Sequence, residues 1–397
     1  MSRLGARTRL AGPLLGLATA ALTVLALELT FRAADFDFEF KRKAFARLPI
    51  FYRQPVVPVG PAFYRRPGPA RWEGKVIEPL YLQKGATDGA YRDEPAVVVE
   101  YDQLGFRNPT DLTDWDIVAV GDSFTELGFL PYEALFTTRL GELLGVRVKN
   151  LGVSFTGTRT HIFYLEEYGR SPSLHEAVLV FFEGNDFMDI RAEDARLRAR
   201  RDGIQPADDA PHTLVDELPS QSSLLTAAYR LVVREPIRPV NLANAFFTAT
   251  RPWVPVTVEL GVPPLAKRPR ESRAGAAARE AIQAWADAAR RIGARPWLAL
   301  MPCKQRVLDG HLLRAGKRGD TRTGRPLSPL PDDVRTFLAD VAEAGGLGFI
   351  DLTPALRRET EAGRLTYNAV MDTHLNRLGS EVVARTLAEA LAGGGGR

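Results

Sequence analysis

From Asp116 onward, short uninterrupted apolar runs alternate with amphipathic stretches, and this rhythm limits the chain more than any other feature it has. "DIVAVGDS" reads as a strand entering a turn, and Tyr132 to Leu144 as a helix closed by Gly145. "VRVKNLGVS" and "AVLVFFEGND" read as two further strands with polar ends. Ala274 to Ile292 is an Ala-rich helix, "RPWLALMPCK" a strand stopped by Pro302, and Val334 to Ala344 a helix. "LGFIDLTP" is a last strand, followed by a helix over Asn376 to Leu391 and a Gly-rich tail at 393–397. Apolar strands without alternation, separated by helices, predict a parallel sheet covered on both faces. The expected fold is α/β: a doubly wound, flavodoxin-like sheet of about five strands.

The rhythm breaks between about 190 and 270, where "GIQPADDAPH" precedes irregular apolar patches. A long stretch without period inside a compact domain is unusual and reads as an insertion. Residues 32–94 carry Pro and aromatic punctuation, as in "RLPIFYRQPVVPVGPAFYRRPGPARW", and read as a stalk or lead-in to a domain over 95–392.

At the N-terminus, Leu10 to Leu27 hold no charge and follow Arg3, Arg7 and Arg9. About 18 uncharged residues is the lower limit for a spanning helix. The expectation is a transmembrane signal anchor over 10–31 behind a cytoplasmic tail at 1–9, with the domain extracytoplasmic. A cleaved signal, with "ATA" at Ala18 to Ala20 as its site, and a core helix are the other readings.

Charged residues are 25% of the 397, and the formal net charge of +4 is too diffuse for a nucleic-acid surface; "RAEDARLRARRDG" mixes acids among its arginines. Cys303 is alone, so neither an intrachain disulfide nor a cysteine metal site can form. His161, His175, His212 and His311 lack the spacing of a zinc helix, and "GFRNPTD" and "GVSFTGTRT" lack the lysine and glycines of a phosphate loop. No metal, cofactor or nucleic-acid partner is expected.

In a doubly wound sheet, ligands sit beyond the carboxyl ends of the strands. The residues predicted there are Gly121, Asp122 and Ser123; Asn150, Leu151 and Gly152; and Gly184, Asn185 and Asp186. Asp372, Thr373 and His374 precede the last helix. Each group alone has an ordinary explanation: Ser123 as a helix cap, "GND" as a turn, Asp372 as a cap. Together they hold the parts of acyl transfer. A serine hydroxyl needs a base, which His374 supplies, and Asp372 can fix the second imidazole nitrogen. The Ser123 N–H, the Gly152 N–H and the Asn185 amide can meet an oxyanion.

"GDSF" at 121–124, "NLG" at 150–152, "EGND" at 183–186 and "DTHLN" at 372–376 resemble the ordered blocks of the SGNH/GDSL hydrolase superfamily. The resemblance implies Ser123, His374 and Asp372 as the catalytic triad and Ser123, Gly152 and Asn185 as the oxyanion hole. Two spacings depart from the usual blocks. Glu183 stands where the family writes its glycine, and Met371 stands where it writes its acid, so Asp372 is one residue closer to His374. The shorter spacing is similar to that of alginate-acetyltransferase-like proteins. "YDQLGFRNP" and the Pro-x-Lys segment in "MPCKQRV" also look like the membrane-anchored bacterial branch.

What the resemblance implies is a serine ester hydrolase on acylated extracytoplasmic carbohydrate or lipid. An O-acyltransferase for exported polysaccharide, with a polysaccharide-biosynthesis membrane partner, is the alternative. So is a silent, tethered binding or assembly protein that keeps the fold.

Overall fold

The computed structural model describes residues 4–33, 51, 56–60, 63–74, 96–203, 242–259, 268–314, 325–327, 329–369 and 373–394. They fall into two units. One contains the helix Leu4–Ala33 (α1), in which the Thr23 and Thr30 hydroxyls donate to the carbonyls of Thr19 and Ala26. The spanning segment expected at 10–31 is not supported: among the described residues no helix is long and apolar enough to cross a membrane.

The second unit is the α/β body. Val57–Val59 (β1) pairs with Phe63–Arg65 (β2), and Ala70–Gly74 (β3) with Val97–Tyr101 (β4), both antiparallel. Ile117–Gly121 (β5), Val148–Gly152 (β6) and Glu176–Phe182 (β7) begin the main sheet. The chain then forms the hairpin Leu242–Phe247 (β8) and Val254–Glu259 (β9), returns through Arg295–Met301 (β10), and adds Leu312–Arg314 (β11) and Arg325–Pro326 (β12) to the hairpin. Gly348–Asp351 (β13) completes the main sheet, whose five parallel strands run in the order β13-β10-β7-β5-β6. That is the flavodoxin-like order, and its switch point lies between β5 and β7.

Alternate residues of β5 supply both cores. Ile117 and Ala119 pack in one buried cluster with Phe136, Leu140, Val383 and Leu387, while Val118 and Val120 pack in the other with Tyr164, Trp285, Phe337 and Leu338. The first set comes from the helices Phe136–Leu144 (α3) and Arg377–Gly394 (α10). The second comes from Thr158–Tyr168 (α4), Arg273–Arg291 (α6) and Asp333–Gly345 (α8). A strand buried on both faces reads as an unbroken apolar run, which is how "IVAVG" announced itself.

Three boundaries differ from expectation. The stretch read as an insertion contains much of the helix Asp186–Arg201 (α5), polar along most of its length, and the β8–β9 hairpin; 204–241 and 260–267 lie outside the described residues. Described residues of the lead-in belong to the body and are no stalk: Phe51 and Arg66 are buried, at 2% and 0% exposure. The last helix continues to Gly394, into the Gly-rich tail.

The turn that carries Ser123 is the short helix Ser123–Glu126 (α2), which lies directly on the end of β6. A Cβ on Gly152 would come within 2.4 Å of the Glu126 nitrogen and 2.5 Å of the Thr125 carbonyl carbon. Both are backbone atoms that cannot swing aside. Gly152→Ala is therefore expected to cost about 1–3 kcal/mol, the usual range for overpacking, measured as a lower denaturant midpoint with an unchanged m-value.

Candidate active site

Asp122 ends β5 and caps α2: its Oδ1 accepts the Phe124 N–H at 2.9 Å. The cap turns the chain sharply, and Leu127 closes the helix after four residues in a left-handed conformation, φ 40°. Ser123 thus stands at the crest of the sheet with its amide at the helix start, where no intrahelical acceptor exists.

His374 arrives from a loop closed at its neck. Tyr367 and Leu375 form an antiparallel bridge, the Asn368 N–H donates to the His374 carbonyl at 3.0 Å, and the Asn376 N–H donates to Thr366 O at 3.1 Å. Asn376 Nδ2 adds a bond to Leu365 O at 2.7 Å. The imidazole sits among aromatic rings, with centroids 4.8 Å from Phe124, 5.3 Å from Phe51 and 5.9 Å from Phe129. His374 Nε2 lies 2.9 Å from Ser123 Oγ, across 251 residues of sequence. Asp372, the acid expected beside it, lies outside the described residues.

Residues 265–395 match the family model of the SGNH hydrolase-like domain of acetyltransferase AlgX. That stretch is similar to an SGNH hydrolase-like domain. No curated protein matches it in sequence. Among solved structures it is similar to a lipolytic protein of the G-D-S-L family from Veillonella parvula, at 14% identity over 70% of this chain and 98% of that one, TM-score 0.37. It is also similar to an acetyl xylan esterase from Geobacillus stearothermophilus, at 12% identity over 70% and 94% of the two chains, TM-score 0.34.

The expected oxyanion donors stand differently from one another in this SGNH-like site. The Gly152 N–H donates to Asn150 Oδ1 at 2.8 Å. Its glycine is explained by the contact with α2 instead. Asn185 Nδ2 donates to Asp189 Oδ2 at 2.8 Å, and the same side chain also hydrogen-bonds Asp122. Glu183, at the position where the usual block has glycine, is 1% exposed and accepts from the Cys303 N–H and the Arg306 guanidinium, each at 2.8 Å. It ties the end of β7 to the end of β10.

Sequence reasoning missed the buried network around Glu126. Its carboxylate accepts Arg66 Nε at 3.0 Å, Arg66 Nη2 at 3.1 Å, Tyr101 Oη at 2.7 Å, and both the Ser154 N–H and Ser154 Oγ at 2.6 Å. Burial opposes its charge, but the Arg66 cation and these hydrogen bonds outweigh that and hold the carboxyl below its ordinary range. The next residue, Phe155, has φ 63°, unusual for a side chain that size, and its carbonyl accepts Tyr64 Oη at 2.7 Å. The only signal for Glu126 was an acid three residues after Ser123; Arg66 carried none.

Asp122, Asp186 and Asp189 each bring an oxygen within 4.8 Å of the others. The grouping has the spacing of a cation site. Burial, then the Asp122 and Glu193 charges, push Asp189 up to about 8. Burial also raises Asp186 well above the carboxylate range, and raises Asp122 against the opposing Phe124 N–H and the His374, Asn185 and Ser123 side chains. At neutral pH Asp189 keeps its proton.

A stability measurement checks this. Folded Asp189 keeps its proton up to about pH 8, whereas the unfolded chain releases it near the ordinary aspartate value of 3.8. Between those values folding takes up a proton, so stability falls as pH rises through the window. Asp189→Asn keeps an acceptor for Asn185 and removes the uptake. Its Tm, compared with wild type from pH 4 to 8, is expected to fall less steeply and to be higher at pH 8.

Proposed function

We propose that this protein is a serine-dependent ester hydrolase working through an acyl-enzyme. The observation that carries the reading is the 2.9 Å contact between Ser123 Oγ and His374 Nε2 at the switch point of the sheet. In the neutral imidazole Nε2 accepts the serine proton, so the contact has the sense of a nucleophile and its base. Ser123 Oγ attacks the ester carbonyl and His374 takes the proton. The base then returns it to the departing alcohol, and water, deprotonated by the same ring, releases the acid. Asp372 is assigned the task of orienting the imidazole, two residues before His374. The Ser123 N–H at the start of α2 and the Asn185 amide, once turned from its carboxyl partners, are assigned to the oxyanion.

The substrate is assigned to acylated carbohydrate or lipid, a proposal supported by the match of residues 265–395 to an acetyltransferase family. The same match favours a second acceptor, a sugar hydroxyl in place of water, with all earlier steps unchanged.

A fluorophosphonate probe tests the nucleophile. The wild-type protein is expected to label at one serine. Ser123→Ala should abolish labelling while Ser154→Ala leaves Ser123 modified, and His374→Ala should slow it by at least about 100-fold, the usual contribution of a positioned base. Labelling that persists in Ser123→Ala removes the proposal, and a wild type that never labels favours a silent protein. Mass gain on an offered glycan, without matching free acid, would assign the transferase.

A further inference from the structure

Lys304 follows β10 in "MPCK" and opens the short helix Lys304–Val307 (α7). It is 1% exposed, and its Nζ donates to the Asn368 carbonyl and, at 2.8 Å, to the Ala369 carbonyl. A buried ammonium is tolerated only where strong acceptors replace its water. These acceptors are consecutive carbonyls of the loop that presents His374. From another side, the Thr257 N–H of β9 donates to the same Ala369 oxygen at 2.9 Å. The connection to the imidazole is short: Lys304 holds the Asn368 carbonyl, and the Asn368 N–H holds the His374 carbonyl at 3.0 Å. A second tether from the same segment, Tyr367 Oη to Pro302 O at 2.6 Å, ties the loop to the residue just after β10.

We propose that Lys304 is a positioning residue that fixes where His374 meets Ser123. It lies on β10's extension, rigidly joined to β7 through Glu183 and Arg306, so it refers the base's loop to the same sheet that carries the nucleophile. The inference rests on the acyl-serine reading for its effect on rate, though not for its effect on structure.

The test uses the full chain with p-nitrophenyl acetate, the fluorophosphonate probe, and crystal structures of the variants. Lys304→Met keeps the stem and loses the donors. Because a misplacement of about 1 Å costs on the order of 100-fold, kcat should fall by about that factor while KM stays within about threefold. Probe labelling should slow in proportion, and the Ser123–His374 distance should lengthen in the crystal. Lys304→Arg, which restores a cation and donors, should recover at least about tenfold of the loss. A residue that only stabilised the fold would lower the active fraction and leave kcat per folded molecule untouched.

A folded Lys304→Met with wild-type kcat, or one whose Ser123–His374 contact is unchanged, overturns the proposal. If Lys304→Met does not fold, Tyr367→Phe releases the neighbouring tether without removing a charge; it should show a kcat-selective loss, and an unchanged kcat overturns the proposal equally. A wild type unreactive toward both reagents refutes the acyl-serine reading alone. The crystal structure of the variant then still decides whether Lys304 places His374.

Discussion

A single buried carboxylate holds the surroundings of Ser123 together. Glu126 is fully buried, and each of its partners comes from a different segment: Arg66 from the chain after β2, Tyr101 from β4, and Ser154 from the loop after β6. A charge so placed is costly unless it is paired and fully hydrogen-bonded, and removing one partner of a buried pair typically costs about 3–5 kcal/mol. The lead-in segment is therefore not an accessory to the sheet. Without Arg66, the helix that begins at Ser123 would end in an uncompensated buried anion.

The second constraint is steric and works on the same four residues. β5 and β6 pair in register, Gly121 opposite Gly152, so α2 must lie across the end of its neighbouring strand. Gly121 leaves room for the Thr125 hydroxyl, which an added Cβ would approach to 2.2 Å, and Gly152 leaves room for the backbone of Thr125 and Glu126. The two glycines that resembled parts of a motif are thus also the places where a side chain cannot be accommodated. Close packing sets Ser123's height above the sheet, and the Asp122 cap sets its direction.

The features legible in the sequence were those with a period or a local cause. The five parallel strands showed as apolar runs because both faces of the sheet are covered, and Gly145, with φ 67°, ended α3 where a left-handed residue was needed. The 251-residue contact between Ser123 and His374 could be anticipated only because each stood at a strand end or the last turn. Less local features were hidden. Helix α4 was missed because it follows a polar loop and carries His161, Tyr164 and Tyr168 in place of a clean apolar stripe. Helix α5 is arginine-rich and mostly polar, so its start was read as the beginning of an insertion. Arg66, Phe51 and Lys304 act through tertiary contacts that no spacing encodes, and Glu126 looked like an ordinary first-turn acid. The Gly152 amide shows a limit of another kind: a backbone N–H can be predicted to exist, but whether Asn150 has already engaged it depends on a side-chain rotamer.

The clustered acids below the crest complete the electrostatic picture. An acyl transfer builds negative charge on the former carbonyl oxygen, and an ionised carboxylate close by would oppose it in a low-dielectric site. Asp122 adjoins the nucleophile in sequence, and Asp186 and Asp189 flank the Asn185 amide in the first turn of α5. Under the proposed mechanism, three anions in that position would oppose the charge assigned to the helix start and the Asn185 amide. Burial works against this by raising all three, and Asp189, pushed up to about 8, keeps its proton around neutrality. The acids still serve as hydrogen-bond partners, since Asp186 accepts the Phe182 N–H at 2.9 Å and Asp189 anchors Asn185. Carboxyl side chains thus supply directional acceptors at the crest, while two buried acids that stay paired, Glu126 and Glu183, are given Arg66 and Arg306.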